Sequence, residues 1–144
     1  MRICVYAISK NEEKFVERFC EAATDADLIL VADTGSTDMT VPMLGDIRER
    51  KGIPIVVHQI TIKPWRFDLA RNAAMALIPA NFDVCVSLDL DEHVTDLDAV
   101  AGVLMPRGDG AFFHRVRQTG HLDFNHGFDQ PSSGVDRRPR VSGI

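Results

Sequence analysis

The chain has 144 residues, 45% of them hydrophobic and 26% charged, with a formal net charge of −5 at pH 7. A chain of this size buries roughly 70% of the surface its unfolded form exposes, so one domain can build a core without disulfide or metal staples. Composition excludes disordered and collagen-like architectures, the acidic balance argues against a nucleic-acid partner, and no apolar run approaches the ~20 residues of a transmembrane helix. With no basic-then-apolar leader at its start, the expected location is cytoplasmic. The three cysteines, Cys4, Cys20 and Cys85, form no Cys-x-x-Cys pair and lie in apolar segments, as reduced core thiols do.

The first predicted element is a β-branched strand, Ile3–Ile8, followed by Ser9-Lys10-Asn11-Glu12 with the pattern of a capping box. Phe15, Val16, Phe19, Cys20 and Ala23 then mark one face of a helix. Leu28–Ala32 reads as a buried strand that ends at Asp33-Thr34-Gly35-Ser36-Thr37-Asp38, where Gly35 supplies a turn. Thr37 or Asp38 can cap a helix running to about Arg50, with Pro42 tolerated in its first turn. A third strand, Ile55–Ile62, leads through Pro64-Trp65 to a helix over about Phe67–Leu77, predicted to present Leu69, Ala73 and Leu77 on one side.

Val84–Leu88 is a fourth strand, running into Asp89-Leu90-Asp91-Glu92-His93; Thr95 and Asp98 form a second capping box for a helix through Leu104, and Ala111–Val116 is a fifth strand. Alternation of strand and helix predicts an α/β single domain, a mostly parallel Rossmann-like sheet with helices on both faces. Residues 1–117 form this core. From 118 to 144 only six of 27 residues are apolar and six are Gly or Pro, which predicts an irregular tail. Arg137, Arg138 and Arg140 in that tail fit either a phosphate clamp or a solvated surface, and His93, His121 and His126 have no zinc-ligand spacing.

Ligands in such sheets bind beyond the carboxyl ends of the strands. Three polar clusters fall there: Ser9–Glu13, Asp33–Asp38 and Asp89–His93. Of the three Asp-x-Asp triplets, Asp25-Ala26-Asp27 precedes a strand and Asp96-Leu97-Asp98 opens a helix, so both read as structural. Only Asp89-Leu90-Asp91 follows a buried strand, in a stretch, Asp83–Asp98, with six carboxylates and no Lys or Arg. Such a cluster is either a solvated acidic loop or a site for Mg²⁺ or Mn²⁺, hard cations that prefer oxygen ligands. Asp33 fits a ligand-wrapping loop or an Asx-turn, and Arg71 fits a phosphate or base contact or a surface ion pair.

The order Ile8-Ser9-Lys10-Asn11-Glu12-Glu13, Val31-Ala32-Asp33-Thr34-Gly35-Ser36-Thr37-Asp38, Trp65-Arg66-Phe67-Asp68 with Ala70-Arg71-Asn72, and Leu88-Asp89-Leu90-Asp91-Glu92 resembles family 2 glycosyltransferases of the GT-A fold. The resemblance spans about residues 3–95. It implies a metal-dependent transferase moving a sugar from a nucleotide-diphosphate donor to an acceptor hydroxyl on a saccharide, lipid or protein. It also implies that Asp33 hydrogen-bonds the base, Arg71 lies against the nucleotide, and Asn11 and Glu12 border the pocket. Asp89 would face the ribose or donor sugar, and Asp91 would bind the Mn²⁺ or Mg²⁺ bridging the diphosphate. Members of that family continue into acceptor-binding elements and an acidic base; Asp123, Asp129 and Asp136 match no such motif. A non-catalytic or truncated nucleotide-binding module is therefore the alternative reading. A lesser one is a haloacid-dehalogenase-type phosphatase, whose first motif Val86–Val94 resembles although three predicted strands precede it.

Overall fold

The computed structural model describes residues 1–92 and the backbone of Phe112–Val116 and Leu122–Asp123. The elements are β1 (Ile3–Ser9), α1 (Glu13–Ala22), β2 (Leu28–Asp33), α2 (Thr40–Lys51), β3 (Ile55–Gln59), α3 (Phe67–Ala76), β4 (Val84–Ser87), β5 (Phe112–Val116) and β6 (Leu122–Asp123). They form one sheet in the order β3-β2-β1-β4-β5-β6, parallel throughout except for β6. The expected parallel α/β sheet is therefore present. Among the described elements, only β6 falls inside the stretch predicted to be irregular; it pairs antiparallel with the expected fifth strand, Arg115 with Asp123 and Val116 with Leu122. The expected helix after Thr95, His93, and the remainder of residues 117–144 with their arginines and histidines lie outside the described residues.

Every residue of β1 is buried, as expected of a central parallel strand covered on both faces. Its side chains alternate between two cores. Ile3, Val5 and Ala7 pack with Val16, Phe19 and Cys20 of α1 and Leu44 and Ile47 of α2. Cys4, Tyr6 and Ile8 pack with Ala70, Ala74 and Met75 of α3 on the opposite face. This division follows from the connections: α1 and α2 link neighbouring strands in one direction along the sheet, whereas α3 carries the chain back past β2 and β1 to β4.

Several predicted boundaries shift for identifiable reasons. The predicted capping box does not form, because Ser9 continues β1 in register with Asp33; α1 starts after Glu12, which makes no side-chain cap. Neither Thr37 nor Asp38 is the residue before α2, although the Asp38 carboxylate accepts the Thr40 amide at 3.0 Å. Pro42 sits in the first turn of α2 as expected, and the helix ends at Gly52, whose φ of 64° is left-handed. β3 stops at Gln59 and β4 at Ser87, each short of its predicted end. The buried side of α3 is Ala70, Ala73, Ala74 and Met75 rather than Leu69, Ala73 and Leu77; small residues let this helix lie close to the sheet, while Leu77 stays 36% exposed. All three cysteines are free and buried. Cys4 and Cys85 are register partners on β1 and β4. Hydrogen bonding to Cys85, together with burial, raises the Cys4 thiol pKa.

Candidate functional site

Strand order reverses between β1 and β4, since the chain runs from β1 outward through β2 to β3 and then returns to β4 on the other side. Loops leaving neighbouring strands diverge at such a point and open a crevice at their carboxyl ends. Five polar or charged residues are buried among the described residues: Ser9, Asp33, Thr40, Ser87 and Glu92. All lie at the carboxyl ends of β1, β2 and β4 or in the segments that leave them. A buried polar group is retained only where partners satisfy it, so this end of the sheet concentrates hydrogen bonding that the rest of the core avoids.

On the β1/β2 side two loops are laced together. Asp33, fully buried, accepts the hydroxyls of Ser9 at 3.0 Å and Ser36 at 2.5 Å through Oδ1, and the amides of Gly35 at 3.1 Å and Ser36 at 2.9 Å through Oδ2. Gly35 permits this turn with φ of 108°, a conformation other L residues rarely adopt. Asn11, itself at φ 54°, donates its amide to Ser36 Oγ at 2.9 Å and accepts the Thr37 amide at 2.8 Å. The Glu12 amide donates to Thr40 Oγ1 at 2.9 Å and the Glu13 amide to Asp38 Oδ2 at 3.2 Å, while the Met39 amide donates to Glu13 Oε2 at 2.8 Å. Each loop thus supplies acceptors for the orphan amides at the start of the other loop's helix. For Asp38, burial acts upward, but hydrogen bonds from the Thr40 hydroxyl and from the Thr40 and Glu13 amides outweigh it and lower its pKa.

The β4 side is built on charge. Arg71, projecting from α3, donates Nη2 to Asp89 Oδ1 at 2.7 Å and Nη1 to Ser87 Oγ, with its guanidinium 4.8 Å from the Phe67 ring centroid. Asp89 and Arg71 side chains are each 20% exposed, so the pair is partly desolvated. Below it Tyr6, also bonded to Ser87, has its pKa pushed up to about 12, chiefly by burial. Glu12, just before α1, senses this group: burial first, then the charges of Asp91, Asp89 and Asp38, push its carboxyl up to about 7. Asp91 is exposed, while its backbone carbonyl accepts Arg18 Nη2 at 2.7 Å. Leu90 between them is fully buried and anchors the turn in the core.

All six predicted site residues, Asn11, Glu12, Asp33, Arg71, Asp89 and Asp91, lie at this end of the sheet. Arg71 and Asp89 touch, and Glu12 senses both Asp89 and Asp91; Asn11 and Asp33 bond within the neighbouring loops. Sequence reasoning missed Arg18, Thr40 and Ser87, and misassigned Ser9. A usable signal existed for the two serines, since each is the polar last residue of an otherwise apolar strand. Among the described residues no three His, Cys, Asp or Glu side chains form a ready-made metal cage. Nor is any helix among them long and apolar enough to cross a membrane.

This architecture defines a class: a small α/β domain with a glycosyltransferase-like fold. Among solved structures, the chain is similar to residues within the crystal structure of S. aureus TarS 1-349, a glycosyltransferase, with a TM-score of 0.57 and 20% identity. The match covers 72% of this chain and 32% of that one, so the chain spans about a third of the length of that structure. No family model matches the sequence, and no curated protein matches it.

Proposed function

We propose that the chain binds a nucleotide-diphosphate sugar in the crevice between β1 and β4 and transfers the sugar to an acceptor hydroxyl, as a family 2-like glycosyltransferase. The observation that carries this reading is the gathering of buried Ser9, Asp33, Thr40, Ser87 and Glu92 at the carboxyl ends of β1, β2 and β4 and in the segments that leave them. Arg71 is suited to the donor diphosphate, because a planar guanidinium presents paired donors to phosphate oxygens. Asp89, which Arg71 contacts, is the candidate for a sugar or ribose hydroxyl. Asn11 and Glu12 border the same crevice, and Asp33 shapes its wall while remaining the candidate for the base contact.

Asp91 is the candidate ligand for Mn²⁺ or Mg²⁺. The donor set fits such an ion: hard cations of this kind are held by one or two carboxylates plus substrate phosphates, which agrees with an exposed Asp91 two residues from Asp89. When bound, the ion supplies positive charge to offset that developing on the departing diphosphate. The alternative reading is a non-catalytic nucleotide-binding module, which would share the donor site and lack the transfer step.

Calorimetric titration with UDP, GDP and TDP in Mn²⁺ tests the shared donor site. Binding of at least one diphosphate is expected, weakened about tenfold or more in Arg71→Met through loss of charge-assisted hydrogen bonds. No heat for any of the three at millimolar concentration removes the donor-site reading. Binding without sugar transfer to any acceptor class selects the module.

A further inference from the structure

We propose that Glu92 is a positioning residue that fixes the presentation of Asp89 and Asp91, an inference that rests on the donor-site reading above. The last bond tying this segment to β1 is the Leu88 amide to the Tyr6 carbonyl at 3.1 Å. Beyond it the chain turns. The Glu92 amide donates to the Asp89 carbonyl at 2.9 Å, and the Asp89 amide donates to Glu92 Oε2, also at 2.9 Å. The four-residue turn is therefore closed from both ends, once by main chain and once by the Glu92 carboxylate.

Burial separates the members of this turn. Leu90 is fully buried and Glu92 is 8% exposed, whereas Asp91 is exposed and Asp89 is part-exposed at 20% of its side chain. The two inward residues hold the turn, and the two outward ones keep solvent-facing surface. Arg18 adds a third hold at the Asp91 carbonyl. Burying a carboxyl group within this turn carries a desolvation cost, which the hydrogen bond from the Asp89 amide offsets. Because Asp89 also pairs with Arg71 at 2.7 Å, a turn that loses the Glu92 contact shifts the Asp89 carboxylate and with it the guanidinium it contacts. Small misplacements of this kind at a binding site cost much more affinity than they cost fold stability.

Two variants separate geometry from charge. Glu92→Ala removes the acceptor; Glu92→Gln removes the charge but retains an amide oxygen able to accept the Asp89 N–H. Two readouts are followed: hydrogen exchange of the Asp89 amide by NMR, and Mn²⁺-dependent UDP binding by calorimetry. In Glu92→Ala the Asp89 amide should exchange about tenfold faster or more, with Val84–Ser87 protection unchanged, and affinity should fall about tenfold. Glu92→Gln should recover both to within about threefold. Wild-type affinity in Glu92→Ala overturns the proposal. So does a folded Glu92→Gln with slow Asp89 exchange and lost binding, which makes the Glu92 charge itself the requirement. Should Glu92→Ala fail to fold, the glutamine variant still decides. Wild type that binds no diphosphate defeats the donor-site reading and this inference with it, whereas wild-type binding with an unimpaired Glu92→Ala defeats this inference alone.

Discussion

The two sides of the crevice satisfy their polar groups in opposite ways. On the β1/β2 side, carboxylates and amides find partners within the two loops: Asp33 accepts four hydrogen bonds, and Asn11, Glu12 and Glu13 each donate an amide to the facing loop. On the β4 side, the charges of Asp91 and Asp89 bear on the Glu12 carboxyl, already raised by burial, and Arg71 contacts Asp89. A network closed on itself holds its shape without ligand. A cluster of mutually repelling carboxylates changes its protonation or its ion content when a ligand arrives. The first side is thus a frame and the second a responsive surface, and substitutions at three positions test that division.

The largest effect is expected at Asp33. Asp33→Ala strands two buried or part-buried hydroxyls and two amides, each costing about 1–3 kcal/mol when left without a partner, softened by water entering the loop. A loss of about 3 kcal/mol or more in chemical denaturation is expected, with Asp33→Asn losing roughly half as much because its single carbonyl oxygen still accepts. A change below about 1 kcal/mol in Asp33→Ala would break the comparison by showing that the frame does not depend on its central acceptor.

The fold was largely legible because period and chain order carry it: alternating apolar strands and amphipathic helices predict a parallel sheet covered on both faces. Three local readings failed where tertiary demands prevailed over pattern. Ser9 looked like a helix cap, yet pairing with Asp33 across β1 and β2 claims it for the strand. On α3 helical spacing predicts the large residue Leu69 as a core contact, yet close approach to the sheet selects Ala70, Ala73 and Ala74. The third failure concerns capping, because the amides of one loop are satisfied by residues 25 to 28 positions away. Motif order located the strand-end clusters of the site, but no local signal marks Arg18 as the partner of the Asp91 carbonyl.

An intermediate effect is expected at Glu12, and its sign is set by pH. In the folded chain its carboxyl is raised from 4.5 to about 7 by burial and by Asp91, Asp89 and Asp38, so the native state holds this proton more tightly than the unfolded state. Its contribution to stability is present in full below pH 4.5 and is lost as pH rises through about 7. Glu12→Gln removes that loss. The variant should be more stable than wild type above pH 8 by about 1 kcal/mol, a value discounted for solvent screening, and nearly equal to it near pH 4. Thermal melts across that range measure the difference. A gap that is independent of pH would mean that Glu12 and the β4 carboxylates do not share a field.

The smallest effect on the ligand-free chain, and the most selective one, is expected at Asp91. Its side chain is exposed, and the contact that Arg18 makes is to the backbone carbonyl, which Asp91→Asn preserves. Removing the charge also relieves repulsion on Glu12, whose carboxyl should titrate lower as a result. Apo stability should therefore stay within about 0.5 kcal/mol of wild type or rise slightly. Ligand response should differ sharply. A ligand that binds only the native state raises the melting temperature by mass action, so Mn²⁺ with UDP should raise the wild-type transition and leave Asp91→Asn where it was. A hard divalent ion held by one or two carboxylates loses much of its attraction when one becomes a neutral amide. An Asp91→Asn protein that melts lower without ligand would place this residue in the frame. One that keeps the full wild-type rise would move the ion away from Asp91, and the responsive side of the crevice would then owe its response to Arg71 and Asp89 alone.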